Sequence, residues 1–126
     1  MNPMRLLVID DDEMTLELLT AVLEEAGYLT HAAANAIDAS HLLHQWPDIG
    51  LVVCDLHMPV IDGLEFSRTL REQGKYLPFI LLTGDEPNDA QLGFNAIDAC
   101  LVKDFDLVGR LPQLIADTLA GAVRPT

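Results

Sequence analysis

Leu6-Leu7-Val8-Ile9-Asp10-Asp11-Asp12 is an unbroken apolar run that stops on three acids. Four apolar residues in succession leave no polar face, so the run predicts a strand covered on both sides. Residues 13–26 follow, with Leu16, Leu19, Leu23 and Ala26 at helical spacing and Leu18 and Val22 beside them. Asp12 suits the helix N-cap, and Glu13 suits the positive end of the helix dipole. Gly27 is placed to stop the helix.

The same unit recurs along the chain. Leu29–Ala33 predicts a weaker strand, and residues 36–44 a short helix closed by Trp46-Pro47. Residues 49–54 form a second strong strand pattern that ends at Asp55. Residues 56–61 read as a loop containing Pro59. Asp62-Gly63 then opens a helix with Leu64, Phe66 and Leu70 on its apolar face, and Gly74 ends it. Residues 79–82 predict a strand between Pro78 and Thr83-Gly84. Pro87 suits the first turn of a helix reaching about Phe94. Ala99–Val102 predicts the last strand, closed by Lys103. Gly109 and Pro112 disfavour a helix interior, so the last helix is expected from about Arg110 to just before Gly121. Five strands alternating with five helices predict an α/β fold, a parallel sheet covered on both faces by right-handed crossovers.

The 126 residues and 13.8 kDa suit a single domain. Residues 1–121 are assigned to that domain and 122–126 to a C-terminal tail or linker. Half of the residues are hydrophobic, 21% are charged, and the mean hydropathy is +0.24, which argues against disorder. Twenty acids against seven lysines and arginines give a net charge of -13. That sign disfavours direct nucleic-acid or membrane-surface binding and suits a cation or a basic protein partner. Cys54 and Cys100 sit in apolar runs as buried thiols, without metal or disulfide spacing, and fit a reducing cytoplasm. No apolar run approaches the roughly 18 residues of a membrane span. The first acid comes too soon for a signal-peptide core.

In a parallel sheet, ligands bind beyond the carboxyl ends of the strands. Asp10 and Asp11, Asp55, Thr83 and Lys103 all fall there. Gathered carboxylates need a cation, and hard oxygen donors of this kind suit Mg²⁺. A carboxylate can itself be the nucleophile that accepts a phosphoryl group. Lysine and a hydroxyl could hold the remaining phosphoryl oxygens. Taken singly, each residue has a plainer reading as a cap, a turn hydroxyl or a solvated lysine.

Four segments in order resemble the receiver domains of two-component response regulators, the single-domain chemotaxis receiver included. They are residues 6–12, Val52-Val53-Cys54-Asp55-Leu56-His57-Met58-Pro59-Val60-Ile61-Asp62-Gly63-Leu64-Glu65, residues 77–84 and residues 101–105. The resemblance implies a flavodoxin-like doubly wound sheet of strand order 2-1-3-4-5. It implies that Asp55 is the phosphoacceptor and that Asp10 and Asp11 hold Mg²⁺. The backbone carbonyl of His57 would complete the metal shell. Thr83 would bond the phosphoryl group and signal its presence, and Lys103 would pair with it. His57 and Asp85, two residues beyond Asp55 and Thr83, match positions that tune phosphoryl lifetime. A sensor histidine kinase or phosphotransfer protein is the implied donor. A C-terminal effector domain in the native protein and a homodimer are both compatible with the family. Pro59 would stiffen the loop after Asp55, and Gly63 would allow a turn or close approach there.

Two departures stand out. Asp104 replaces the usual proline after Lys103, whose preceding bond is cis in the family. A cis bond before a non-proline residue costs about 2.5–4 kcal/mol, so a trans bond is expected, with Lys103 open to displacement. Cys100 stands where many receivers carry the aromatic ring of the switch. Acceptor chemistry is expected to survive while the output surface is altered. His31, His41 and His44 are expected at the surface. Three rival readings stand beside the receiver reading. A haloacid-dehalogenase-type phosphohydrolase would want an Asp at His57, and a flavodoxin-like cofactor binder would want a glycine-rich phosphate loop. The third is a receiver-like interaction module that works without phosphorylation.

Overall fold

The computed structural model describes residues 4–84, 97–104 and 106–121. The elements run β1 (Arg5–Ile9), α1 (Glu13–Glu25), β2 (Leu29–Ala33), α2 (Ala36–Gln45), β3 (Ile49–Asp55), α3 (Gly63–Glu72), β4 (Phe79–Thr83), β5 (Ala99–Val102) and α4 (Leu107–Leu119). The sheet is parallel throughout, in the order β2-β1-β3-β4-β5. The expected helix from Pro87 to about Phe94, along with Asp85, Phe105 and the tail, lies outside the described residues.

Strand alternation divides the core in two. Leu7, Ile9, Val52, Cys54, Phe79 and Leu81 face α2 and α3, meeting Ala39, Leu43, Phe66 and Leu70. Leu6, Val8, Leu51, Val53, Ile80 and Leu82 face α1 and α4, meeting Leu19, Leu23, Leu111 and Ile115. Each fully buried leucine contributes roughly 1.5–3 kcal/mol. Strands hydrophobic on both sides therefore need helices on both sides, which is what the crossovers supply.

The helix ends follow the sequence closely. The Asp12 carboxylate accepts the Thr15 N–H at 3.2 Å and also the Thr15 hydroxyl. Those bonds, the hydroxyl's first, hold its carboxyl below the usual value. Gly27 and Gly74 take positive φ angles of 103° and 80°, ending α1 and α3.

Three expectations need correction. Cys100, read as a buried thiol like Cys54, is half-buried. The last helix starts at Leu107, not Arg110, and carries Pro112 inside it. Leu107, Leu111, Ile115 and Thr118 form its buried stripe, so a start at Arg110 would forfeit Leu107. Burial of that leucine offsets the hydrogen bond that Pro112 cannot make. His31 is half-buried rather than a surface residue, whereas His41 and His44 are exposed. The His31 ring stacks on Trp46 at 4.8 Å, and Arg5 lies 4.3 Å over the same indole. Arg5 also bonds His31 Nε2 at 3.0 Å and Asp48 at 2.9 Å.

Candidate functional site

Asp10 follows β1, Asp55 closes β3, Thr83 closes β4 and Lys103 follows β5. Parallel winding therefore delivers all four to one edge of the sheet. Asp10, Asp55 and Thr83 are buried, Lys103 is half-buried, and Asp11 and His57 are exposed. Backbone bonds fix the edge: Asp10 N–H donates to Ala33 O (3.1 Å), Leu56 N–H to Leu82 O (2.8 Å) and Lys103 N–H to Thr83 O (2.6 Å).

One carboxylate oxygen each from Asp10, Asp11 and Asp55 lies within 4.8 Å of the others. Lys103 Nζ sits 2.6 Å from Asp10 Oδ2 and 3.1 Å from Asp55 Oδ1. Burial pushes the Asp55 carboxyl above its usual value; Lys103 opposes that rise, and Asp10 and Asp11 add to it. Burial also works against the Lys103 ammonium. Its hydrogen bonds and charge contacts with Asp10 and Asp55 outweigh that and hold it above the ordinary lysine value.

Among the described residues, three carboxylates gather around one ammonium, an excess of two negative charges. Asp10 Oδ1 accepts the Asp12 N–H at 2.9 Å. Asp10 Oδ2 is sealed from solvent and, beyond the Lys103 ion pair, has no hydrogen-bond partner. A buried carboxylate oxygen is costly without cations facing it. The all-oxygen donor set and its excess charge fit Mg²⁺.

Around Asp55 the chain is tightly shaped. Gly63 N–H donates to Leu56 O at 2.8 Å, bringing the start of α3 against the end of β3. Pro59 O accepts the Ile61 N–H at 2.9 Å, closing a three-residue turn with Val60 at φ 75°. That left-handed conformation is strained for a β-branched residue. Gly63 thus serves close approach, one of its two expected uses.

The turn after β5 resolves the proline question. The described residues contain no cis peptide bond, so Lys103–Asp104 is trans. Lys103 is nonetheless not displaced, since it reaches both Asp10 and Asp55. The bonds made by Asp104 itself were not anticipated from the sequence; an acid two residues before a helix N-cap was the available signal. Cys100 lies in register with Leu81, which lies in register with Cys54, on the face toward α2 and α3. The Cys54 thiol is buried against Asp55 O (3.3 Å) and Met58 Sδ (3.6 Å), and burial pushes its pKa well up. Such a thiol is inert, as a core filler should be.

Comparison with known proteins agrees with this geometry. The family model described as "Response regulator receiver domain" matches residues 6–115. The response regulator MprA of Mycobacterium sp. (strain KMS) is 37% identical over 122 residues, covering 92% of this chain and 52% of its own length. Response regulator Rre1 of Synechocystis is 38% identical over 114 residues, covering 83% of this chain and 47% of the relative. The chain thus spans about half the length of these curated relatives. The structure of response regulator TrrA from Thermotoga maritima in complex with Mg²⁺-BeF superposes with a TM-score of 0.79 at 31% identity, covering 91% of this chain and 98% of that one. Strand order, the acidic edge and the family match converge: this chain belongs to the response regulator receiver domains of two-component signalling.

Proposed function

We propose that Asp55 accepts a phosphoryl group in a Mg²⁺-dependent reaction, with a sensor histidine kinase or a phosphotransfer protein of a phosphorelay as donor. One observation carries this reading: buried Asp55 shares Lys103 with Asp10 at the carboxyl edge of the sheet, where three carboxylates exceed the local positive charge. An Asp55 carboxylate oxygen attacks the phosphorus of a phosphohistidine or a small acyl phosphate in line. The new O–P bond forms as the P–N or P–O bond to the donor breaks, leaving an acyl phosphate. Asp10, Asp11, Asp55 and the backbone carbonyl of His57 would hold Mg²⁺, which would supply positive charge to the phosphoryl oxygens. Lys103 pairs with another of those oxygens, and the Thr83 hydroxyl bonds a third. The task is positioning and charge stabilisation, as in phosphoryl transfer generally. Water later hydrolyses the acyl phosphate, at a rate modulated by His57 and Asp85.

The chain acts as a switch rather than a turnover enzyme: phosphorylation biases two arrangements of a protein-interaction surface around β5 and α4. An effector domain beyond the tail, or a homodimer, would receive the signal. A cytoplasmic setting fits two thiols and the absence, among the described residues, of any helix long and apolar enough to cross a membrane.

Intact-mass analysis after incubation with acetyl phosphate tests the reading. A phosphoryl adduct is expected with Mg²⁺, absent with EDTA and absent in Asp55→Asn. Failure of wild type to take either a phosphoryl group or beryllofluoride would favour an interaction module that works without phosphorylation.

A further inference from the structure

Asp104 joins the end of β5 to the start of α4, and all of its polar groups are engaged. Its N–H donates to Val102 O at 3.0 Å, and its carbonyl accepts the Leu107 N–H at 3.1 Å. Its Oδ1 accepts the Asp106 N–H at 2.9 Å, and its Oδ2 lies 3.7 Å from Arg110 Nη1. Asp106, the N-cap residue of α4, makes no side-chain capping bond of its own. The carboxylate of Asp104 therefore does that work from two residues upstream, at the positive end of the helix.

These partners lie on both sides of Lys103. Val102 belongs to the strand before it, and Asp106 and Leu107 to the helix start after it. Lys103 itself is tied to Thr83 O by its own N–H at 2.6 Å. A lysine side chain is long and flexible, so the placement of its backbone decides which carboxylates it meets. No proline at position 104 could donate the bond to Val102.

We propose that Asp104 is a positioning residue for phosphoryl transfer: its carboxylate braces the turn between β5 and α4 and so holds Lys103 between Asp10 and Asp55. The inference rests on the reading of Asp55 as phosphoacceptor. The contacts also rank themselves. The Arg110 pair is long and its two side chains are 54% and 39% exposed, a setting in which ion pairs contribute little. The bond from the Asp106 amide to Oδ1 is the important one, and an asparagine oxygen could accept it as well.

The test compares wild type with Asp104→Ala, Asp104→Asn and Arg110→Ala, all checked for folding by circular dichroism. Maximum phosphorylation rate with acetyl phosphate is measured alongside Mg²⁺ affinity by calorimetry. Asp104→Ala is expected to slow phosphorylation about tenfold, as misplacement of a charge-stabilising group does, with Mg²⁺ affinity not reduced, since displacing the Lys103 ammonium removes a competing cation. Asp104→Asn is expected to recover most of the rate, and Arg110→Ala to stay near wild type. An alanine variant as fast as wild type overturns the proposal. So does parallel loss of Mg²⁺ affinity, or an asparagine variant as slow as alanine. Should Asp104→Ala not fold, the asparagine and Arg110 variants decide, since rate loss in Asp104→Asn overturns the proposal. If wild type takes up neither phosphoryl nor beryllofluoride, the phosphoacceptor reading itself has failed, a result separate from any difference among variants.

Discussion

Gly63 and Asp55 meet backbone to backbone: a Cβ placed on Gly63 would stand 2.6 Å from the Asp55 carbonyl oxygen and 2.8 Å from Leu81 Cδ1. Neither the strand carbonyl nor the packed leucine can yield cheaply. Gly63→Ala should therefore destabilise the domain by about 1–3 kcal/mol, the usual cost of overpacking. Urea denaturation measures that, and the phosphorylation rate should fall with it because the strain lies at Asp55. A neutral Gly63→Ala would mean that the contact is easily relieved.

Gly109 is the opposite case. It lies inside α4, and a Cβ there would meet nothing within 4 Å. Gly109→Ala should stabilise by up to about 1 kcal/mol through helix propensity alone. A lower urea midpoint than wild type would contradict this.

Pro112 interrupts the same helix at a point where an amide would otherwise bond to the residue four before it. Pro112→Ala should raise the unfolding free energy, by as much as about 3 kcal/mol if the helix is otherwise unchanged. Leu111→Ala, next to it and fully buried, should cost about 2–5 kcal/mol. Opposite signs from adjacent residues would confirm the early start of α4 at Leu107.

Mg²⁺ should raise the melting temperature of wild type. At a hundredfold excess over its dissociation constant a ligand adds about 2.7 kcal/mol. Asp10→Asn should abolish that gain, because the sealed Oδ2 would become an amide group. An equal Mg²⁺-dependent shift in wild type and variant would place the ion elsewhere.

His31 offers a pH readout through the chain's single tryptophan. Burial first, then the Arg5 charge, lowers the imidazole below its ordinary value of 6.5, against a smaller opposing effect of Asp48. A lowered base favours the neutral ring in the fold. The stability it contributes is complete above pH 6.5 and is lost as pH falls through that value toward the folded-state pKa. Trp46 emission should change in that acid window and lose the transition in His31→Gln. A transition centred above 6.5 would reverse the sign assigned here.

Much of the architecture was legible because its signals are local. Uninterrupted runs such as residues 6–9 and alternating strand–helix units predict a doubly wound sheet, and acids at strand ends predict the site. The start of α4 was not legible, because Gly109 and Pro112 speak locally against a helix that the burial of Leu107 favours. The setting of His31 depends on Arg5, Trp46 and Asp48, which the fold alone brings together. The role of Asp104 was hidden for a related reason: its absent proline was visible, but the bonds that replace the proline arise only in the folded turn.

β5 has four residues, three of them half-buried, and it forms one of the two outer edges of the sheet. The lysine that pairs with both Asp10 and Asp55 follows directly on this short strand. If the edge frays, the counter-charge leaves with it, and the carboxylates repel one another across a vacated gap. The acidic cluster thus acts as an electrostatic latch on a short edge strand. Amide hydrogen exchange along β5 would accordingly be coupled to events at the opposite end of the lysine side chain, without any contact between that strand's own side chains and a phosphoryl group.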